Sequence, residues 1–226
     1  MSSKKNINLL TLKIIKQKIF EVLFEIKVLI LHVINNNIFL PIKLKKINKI
    51  HFGSGNDIKT DFLNVDINSS ADIFLDVRNK LNVKSNSIEY IYSCHLVEHL
   101  DHEELIAHLQ ECHRILKKNA VLRLGIPIFE KVFHAYCNQD DSRLNEIRGL
   151  LSKKLSIPEN LICRMDWINR SVHEFGNHKT CLDWEKIRNI LIFSGFEKNK
   201  IIQTDFKDTI DNLSRKNLTF YVEATK

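Results

Sequence analysis

Apolar positions recur at three- and four-residue steps from residue 7 to residue 34, through Ile15, Ile19, Val22, Ile26, Leu29 and Val33. Lys13, Gln17, Glu21 and Glu25 lie toward the opposite side. That period predicts an amphipathic helix. Glu21, Glu25, Lys27 and His32 break every apolar run, so the stretch is too interrupted to span a bilayer. It also lacks the small-residue cleavage site of a secretory signal. Asn35-Asn36-Asn37 and Pro41 then end the pattern.

From Lys49 the period shortens and strands alternate with helices. Ile50 and Phe52 alternate with polar neighbours and run into Gly53-Ser54-Gly55, the signature of a short strand entering a glycine turn. Phe62 to Val65 ends on Asp66, and Ala71 to Leu75 ends on Asp76. A fourth strand, Ile88 to Tyr92, leads into Ser93-Cys94-His95. Asp101 with Glu104 three residues later predicts a capped helix start. Leu105, Leu109, Cys112 and Leu116 give that helix one apolar stripe; Lys117-Lys118 suits its negative end, and Asn119 a left-handed stop. Val121 to Ile126 is a fifth strand, closed by Pro127. Residues 128–180 are less regular, with a helix near 140–154 around Leu144, Ile147, Leu151 and Leu155. Another helix runs from Asp183 to Ser194 and stops at Gly195, followed by strands at 200–204 and 218–223. Such alternation predicts an α/β fold with a largely parallel sheet and its ligand at the carboxyl ends of the strands. The chain divides into an amino-terminal arm, 1–46, and a body, 47–226, in which 128–180 is an insertion on the acceptor side.

Charge sharpens the division. The net charge of +7 is not shared evenly: residues 1–50 hold ten lysines against Glu21 and Glu25, which leaves the remainder near neutrality. A nearly neutral body argues against nucleic acid as the main substrate, because phosphate binding needs lysine and arginine around the cleft. The basic arm leaves two readings open: a helix packed on the body or on a second copy, or one lying at an anionic membrane surface. Five cysteines form no C-x-x-C pair, which fits reduced thiols in a cytoplasm, with or without contact to a membrane surface.

The chemistry starts at the glycine turn. Two glycines one residue apart permit positive φ and leave no Cβ between backbone and ligand. A carboxylate at the carboxyl end of the next strand, here Asp66, can accept hydrogen bonds from both hydroxyls of a ribose. Only residues 53–61 separate the first strand from the second, whereas a parallel crossover with its helix needs at least about 10–12 residues. A pyrophosphate would therefore find little helix amino end to sit on. S-adenosylmethionine, which carries a ribose and an adenine but no phosphate, fits better than a dinucleotide.

At this point the chain resembles the class I S-adenosylmethionine-dependent methyltransferases, in particular the type 11 methyltransferase-like group. The carriers are H-F-G-S-G-N-D at 51–57, F-L-N-V-D-I at 62–67, A-D-I-F-L-D-V at 71–77 and S-I-E-Y-I-Y-S-C-H-L-V-E-H-L at 87–100, then L-Q-E-C-H-R-I-L-K-K-N-A-V-L-R-L-G-I-P at 109–127, W-E-K-I-R-N-I-L-I-F-S-G-F at 184–196 and Y-V-E-A-T-K at 221–226. The resemblance implies a Rossmann-like, mostly parallel seven-stranded sheet with helices on both faces, here with an amino-terminal helical extension. It implies that Gly53, Ser54 and Gly55 approach the methionine part of the cofactor and that Asp66 holds the ribose. Asp76 and Val77 would flank the adenine, and Ser93 to His95 would line the floor near the sulfonium. Asp57 stands where the fuller pattern has a third glycine, and Lys118-Asn119-Ala120 where Pro-Gly-Gly is usual.

Methyl transfer to a hydroxyl also needs a proton acceptor, for which histidine suits neutral pH. The candidates are His95, then His178 and His173. His95, His99 and His102 at i, i+4 and i+7 could share one helical face as metal ligands; pocket lining and loop packing explain them better, and no metal is assigned. Trp167 and Phe175 are candidate acceptor-pocket walls. The expected activity is methylation of a small molecule, at oxygen, with a sugar or glycolipid precursor as a compatible acceptor. An NAD(P)-dependent oxidoreductase and a non-catalytic nucleoside-binding module are the alternatives.

Overall fold

The computed structural model describes residues 2–226, with side chains from Thr11 onward. Helix α1 (Ser2–Ile34) passes through a π turn (Asn35–Phe39) into the one-turn α2 (Leu40–Lys43). The body follows as β1 (Lys49–Phe52), β2 (Leu63–Asp66), β3 (Ile73–Phe74), β4 (Ile88–Cys94), α3 (His102–Ile115) and β5 (Leu116–Pro127). Then come α4 (Phe129–Cys137), α5 (Ser142–Leu155), α6 (Arg164–His173), α7 (Trp184–Phe193), β6 (Ile201–Thr204) and β7 (Thr219–Thr225). The seven strands form one sheet in the order β3-β2-β1-β4-β5-β7-β6. Strands β1 to β5 pair in parallel, while β7 runs antiparallel between β5 and β6. The largely parallel α/β sheet expected from the alternation is present, with the seven strands and Rossmann-like order that the resemblance implies.

The central strands are buried and β-branched or leucine-rich, as a sheet covered on both faces requires. Ile50, Val65, Ile91, Leu122 and Val222 have at most 1% exposure and share one core with Leu105, Leu109 and Ile115 of α3 and Ile187 and Leu191 of α7. A second core holds Leu144, Ile147, Leu151, Ile162 and Trp167. It belongs to the α5–α6 layer, so Trp167 is packing material there, whereas Phe175 is exposed.

Two local expectations change, and a third is met. The helix opened by the Asp101–Glu104 capping box stops at Ile115 rather than at the lysines. Leu116 turns extended (ψ 139°) and pairs with Ile88, because a fully buried leucine beside the sheet gains more as a strand residue than as the end of an amphipathic stripe. Asn119 does take the left-handed conformation, but inside β5. The crossover between β1 and β2 contains only turns and bends. Asn64 organises it in place of a helix. Its Oδ1 accepts from Lys59 N (2.9 Å), and its Nδ2 donates to Lys59 O (3.0 Å) and to Asp72 Oδ2 (2.8 Å).

The arm also packs differently from its apolar stripe. Val28, His32, Asn36 and Leu40, four residues apart, form the buried seam, while Ile15, Ile19, Val22, Ile26, Leu29 and Val33 all lie about half exposed. The docking contacts are polar. Asn35 donates to Phe74 O (2.9 Å), Asn36 to Lys80 O (3.0 Å), and His32 Nδ1 accepts from Asp76 N (3.2 Å). A hydrophobic period identifies a helix but not which row of side chains meets the body.

Two core imidazoles make the fold acid-sensitive. His51 in β1 and His108 in α3 are buried, and burial pushes the pKa of each down to about 4. A base whose folded pKa lies below its unfolded value near 6.5 contributes stability that is complete above 6.5 and is lost as pH falls toward 4. Each shift is worth about 3 kcal/mol over that window. Urea midpoints should hold steady from pH 8 to 7 and drop steeply between 6.5 and 4; an unchanged midpoint at pH 5 would contradict the assignment.

Candidate active site

The carboxyl edges of β1, β2 and β4 bring the glycine turn, Asp66 and Ser93 to His95 side by side. Gly53 (φ 69°) and Gly55 (φ 50°) both take the left-handed conformation that favours glycine. Gly53 is pinned from two sides: its N–H donates to Val65 O (2.9 Å), and a Cβ there would lie 2.8 Å from Leu96 Cβ. Around Gly55 the situation is reversed, since a Cβ there would meet no atom within 4 Å. The first glycine makes the turn; the second leaves open space where a side chain would stand, while its N–H and carbonyl are bonded to Asp66 Oδ2 and Ser70 Oγ.

Asp66 faces that space. Its Oδ2 accepts from Gly55 N (2.7 Å) and its Oδ1 from Asn68 N (2.9 Å), so the carboxylate is fixed and still has one lone pair on each oxygen for a ligand. Two serines complete the edge. Ser54 Oγ and Ser93 Oγ are buried and have no hydrogen-bond partner. Ser93 stands beside the turn through its pairing with Phe52. Buried hydroxyls are normally satisfied, so two orphans at the glycine turn mark a place for polar ligand atoms. Ribose hydroxyls and an amino-acid carboxylate have the matching chemistry, and this donor and acceptor set fits S-adenosylmethionine.

Asp76 is differently occupied. Its carboxylate is gripped by Arg78, with Nε at 3.0 and 2.9 Å from the two oxygens and Nη2 at 2.7 Å from Oδ2. Arg78 reaches on to Glu25 of α1 (2.9 Å). Val77 is buried beside it and borders a hollow of about 260 Å³ along α3, lined by Arg78, Ala107, Gln110 and Arg114. A larger hollow of about 500 Å³ lies at the opposite, amino edge of the sheet. There Lys117, Lys200 and Lys226 are tied to Glu89, Glu197 and the His113 carbonyl, and the hollow is remote from the glycine turn and Asp66.

His95 closes β4 with φ 56°, its N–H donating to Gly125 O (2.9 Å). Its Nε2 shares a hydrogen bond with Thr219 Oγ1 at 2.8 Å, and its Nδ1 lies 3.7 Å from Glu98 Oε1. Burial, with Arg215 nearby, holds its pKa down to about 3. Thr219 starts β7, 124 residues further along the chain, and nothing short of the sheet order could have revealed it. His178 lies near enough to His95, as does His99, to help lower its pKa, whereas His173 is not among the groups acting on it. His178 donates from Nδ1 to Ser171 O (2.9 Å) and stacks edge-on with His99 (5.0 Å between rings), and His173 is an exposed residue at the end of α6. The proposed helical face of His95, His99 and His102 does not form: His99 sits in a 3-10 turn (Val97–His99) and His102 begins α3, exposed. Glu98, missed in the sequence, is fully buried with neither carboxylate oxygen hydrogen-bonded.

Residues 55–124 match the family model described as a methyltransferase domain. The match begins at the second glycine of the turn and ends within β5. Among solved structures, the chain is similar to an S-adenosylmethionine-dependent methyltransferase from Archaeoglobus fulgidus, at 14% identity over 86% of this chain and 93% of that one, with a TM-score of 0.47. A second, from Aquifex aeolicus, is 13% identical over 88% of this chain and 96% of that one, with a TM-score of 0.44. No curated protein sequence matches the chain.

Proposed function

We propose that this chain, which matches a methyltransferase domain over residues 55–124, is a class I S-adenosylmethionine-dependent methyltransferase that methylates an oxygen atom of a small hydroxylated molecule. The observation that supports the donor half is the open space at Gly55 beside the fixed Asp66 carboxylate, together with the two unpartnered buried serine hydroxyls. In this reading Asp66 takes the ribose hydroxyls, and the 53–55 backbone with Ser54 takes the methionine end. Val77 lies against the adenine, with Arg78, oriented by Asp76, as its polar neighbour. Ser93 and His95 line the floor.

The bound cofactor supplies a methyl group already activated by its sulfonium. What remains for the protein is alignment and exclusion of water. The acceptor oxygen must lose its proton. Once alkylated, a hydroxyl is a strong acid, so proton loss can follow methyl transfer and a neutral imidazole suffices to receive it. In this reading His95 receives that proton, and Thr219, which shares a hydrogen bond with its Nε2, orients the ring. A nicotinamide cofactor is disfavoured physically, because the β1–β2 connection offers no helix amino end to a pyrophosphate.

The test is transfer of labelled methyl from S-adenosylmethionine into a fractionated cell extract. Label in a low-molecular-mass compound, stable to base as an ether is, would support the reading. Label confined to the protein or nucleic-acid fraction would overturn the acceptor class.

The arm extends the proposal. Among the described residues no helix is long and apolar enough to cross a membrane, yet α1 exposes Ile19, Phe20, Leu23, Leu29 and Ile30 at more than half of their surface. Lys13, Lys16, Lys18 and Lys27 lie on the same helix. An apolar helix carrying lysines suits the interface of an anionic bilayer. The full chain should float with phosphatidylserine vesicles and less with phosphatidylcholine ones, and Phe20→Glu with Leu23→Glu should abolish flotation. Flotation indifferent to both changes would end this part of the proposal.

A further inference from the structure

Glu98, His99 and His178 lie outside the donor pocket, and their ligand-capable atoms are all within 4.8 Å of one another. Three features of this cluster need a common explanation. Glu98 has no exposed surface, and neither of its carboxylate oxygens has a hydrogen-bond partner; the nearest imidazole nitrogen, His95 Nδ1, is 3.7 Å away, too far for a hydrogen bond. A buried carboxylate left without a partner is costly.

The two imidazoles are oriented from behind. His99 Nδ1 faces Asn177 O at 3.1 Å and His178 Nδ1 faces Ser171 O at 2.9 Å. A carbonyl only accepts, so both Nδ1 atoms carry the proton, and in the neutral rings both Nε2 lone pairs are left over. Carbonyls behind Nδ1 are the arrangement that prepares histidines to bind a metal through Nε2. Finally, His178 Nε2 faces Glu174 Oε2 at 3.2 Å. With the neutral ring these are two acceptors in contact, and a cation between them removes the conflict.

We propose that Glu98, His99 Nε2 and His178 Nε2 bind a zinc ion, with the Glu174 carboxylate as the fourth ligand. Two nitrogens and carboxylate oxygens suit this borderline cation in tetrahedral coordination. Ligand atoms around zinc stand about 3.4 Å apart, so the three atoms, now within 4.8 Å of one another, would draw closer around the ion. The ion would clip the 97–99 turn to the 174–178 segment. Backbone bonds already join these regions, since Lys179 N and Thr180 N donate to Glu98 O at 2.8 and 3.1 Å. The clip would fix the turn that holds Glu98 beside His95, and it stands whether or not the donor-pocket assignment holds.

The test uses the full chain stripped of metal, titrated with zinc chloride, desalted and measured by elemental analysis and thermal melting. The wild-type chain should retain one zinc per chain and melt about 5 °C or more higher with the ion than without. Glu98→Gln, which keeps the shape of the buried side chain, and His178→Ala should each retain less than about a fifth as much and show no zinc-dependent shift, while His102→Ala and Cys163→Ser behave as wild type. Circular dichroism without zinc reports whether each variant folds, and Glu98→Gln decides if His178→Ala does not. Wild-type protein that keeps no zinc, or Glu98→Gln that keeps as much as wild type, overturns the proposal.

Discussion

Replacing Asp66 with alanine is expected to weaken binding of S-adenosylhomocysteine by more than about tenfold, and Asp66→Asn by less. A charge-assisted hydrogen bond contributes about 1.5–3 kcal/mol, and each 1.4 kcal/mol is a factor of ten in affinity. Two ribose hydroxyls on one fixed carboxylate therefore exceed tenfold comfortably. Asparagine keeps one acceptor oxygen and gives up the charge. The same carboxylate also holds Gly55 N and Asn68 N, so a melting curve must accompany the titration to show that the variant remains folded. Binding within threefold of wild type in a folded Asp66→Ala would remove the ribose assignment.

The second large effect concerns stability. Arg123 of β5 is fully buried. Its Nε donates to Asp211 Oδ1 (2.9 Å), its Nη1 to Glu223 Oε1 (2.9 Å), and its Nη2 to Asp205 O (2.8 Å) and to Asp211 Oδ2. The guanidinium also lies over the Tyr221 ring, 4.6 Å from its centroid. This network fastens the 205–211 loop to the antiparallel end of the sheet. Truncating one partner leaves a buried carboxylate uncompensated, which costs about 3–5 kcal/mol. Arg123→Met should lower the urea unfolding free energy by that amount. Arg123→Met combined with Asp211→Leu should recover a large part of it, because an apolar pair of similar volume avoids the stranded charge. A loss below about 1 kcal/mol in the single variant would mean that water reaches Asp211 once the arginine is gone.

The parts of this chain that were legible from sequence are those whose physics is local. The Asp101–Glu104 capping box formed with both hydrogen bonds. The strand ending at Asp66, the strand beginning at Ile88, the turn at Gly53 and the helix from Trp184 rest on period and on turn chemistry within a few residues. The missing crossover helix was legible as a length, but the Asn64 clasp that replaces it was not. An asparagine in a predicted strand reads as an ordinary polar position until Asp72 and Lys59 are placed beside it. The non-local pairings were invisible for the same reason. Arg123 with Asp211, His95 with Thr219 and His99 with His178 are each joined only after the strand order is known. The arm shows the limit from the other side. Its apolar period predicted a helix correctly, but the row that packs on the body is fixed by His32, Asn35 and Asn36, whose partners lie in β3 and in the segments that follow it.

Isothermal titration of the full chain with S-adenosylhomocysteine, with NADH injected in a parallel cell, tests the central claim most directly. One saturable site for S-adenosylhomocysteine and none for NADH is the expected result. An absence of heat with the first ligand, or saturation by the second, would contradict the account.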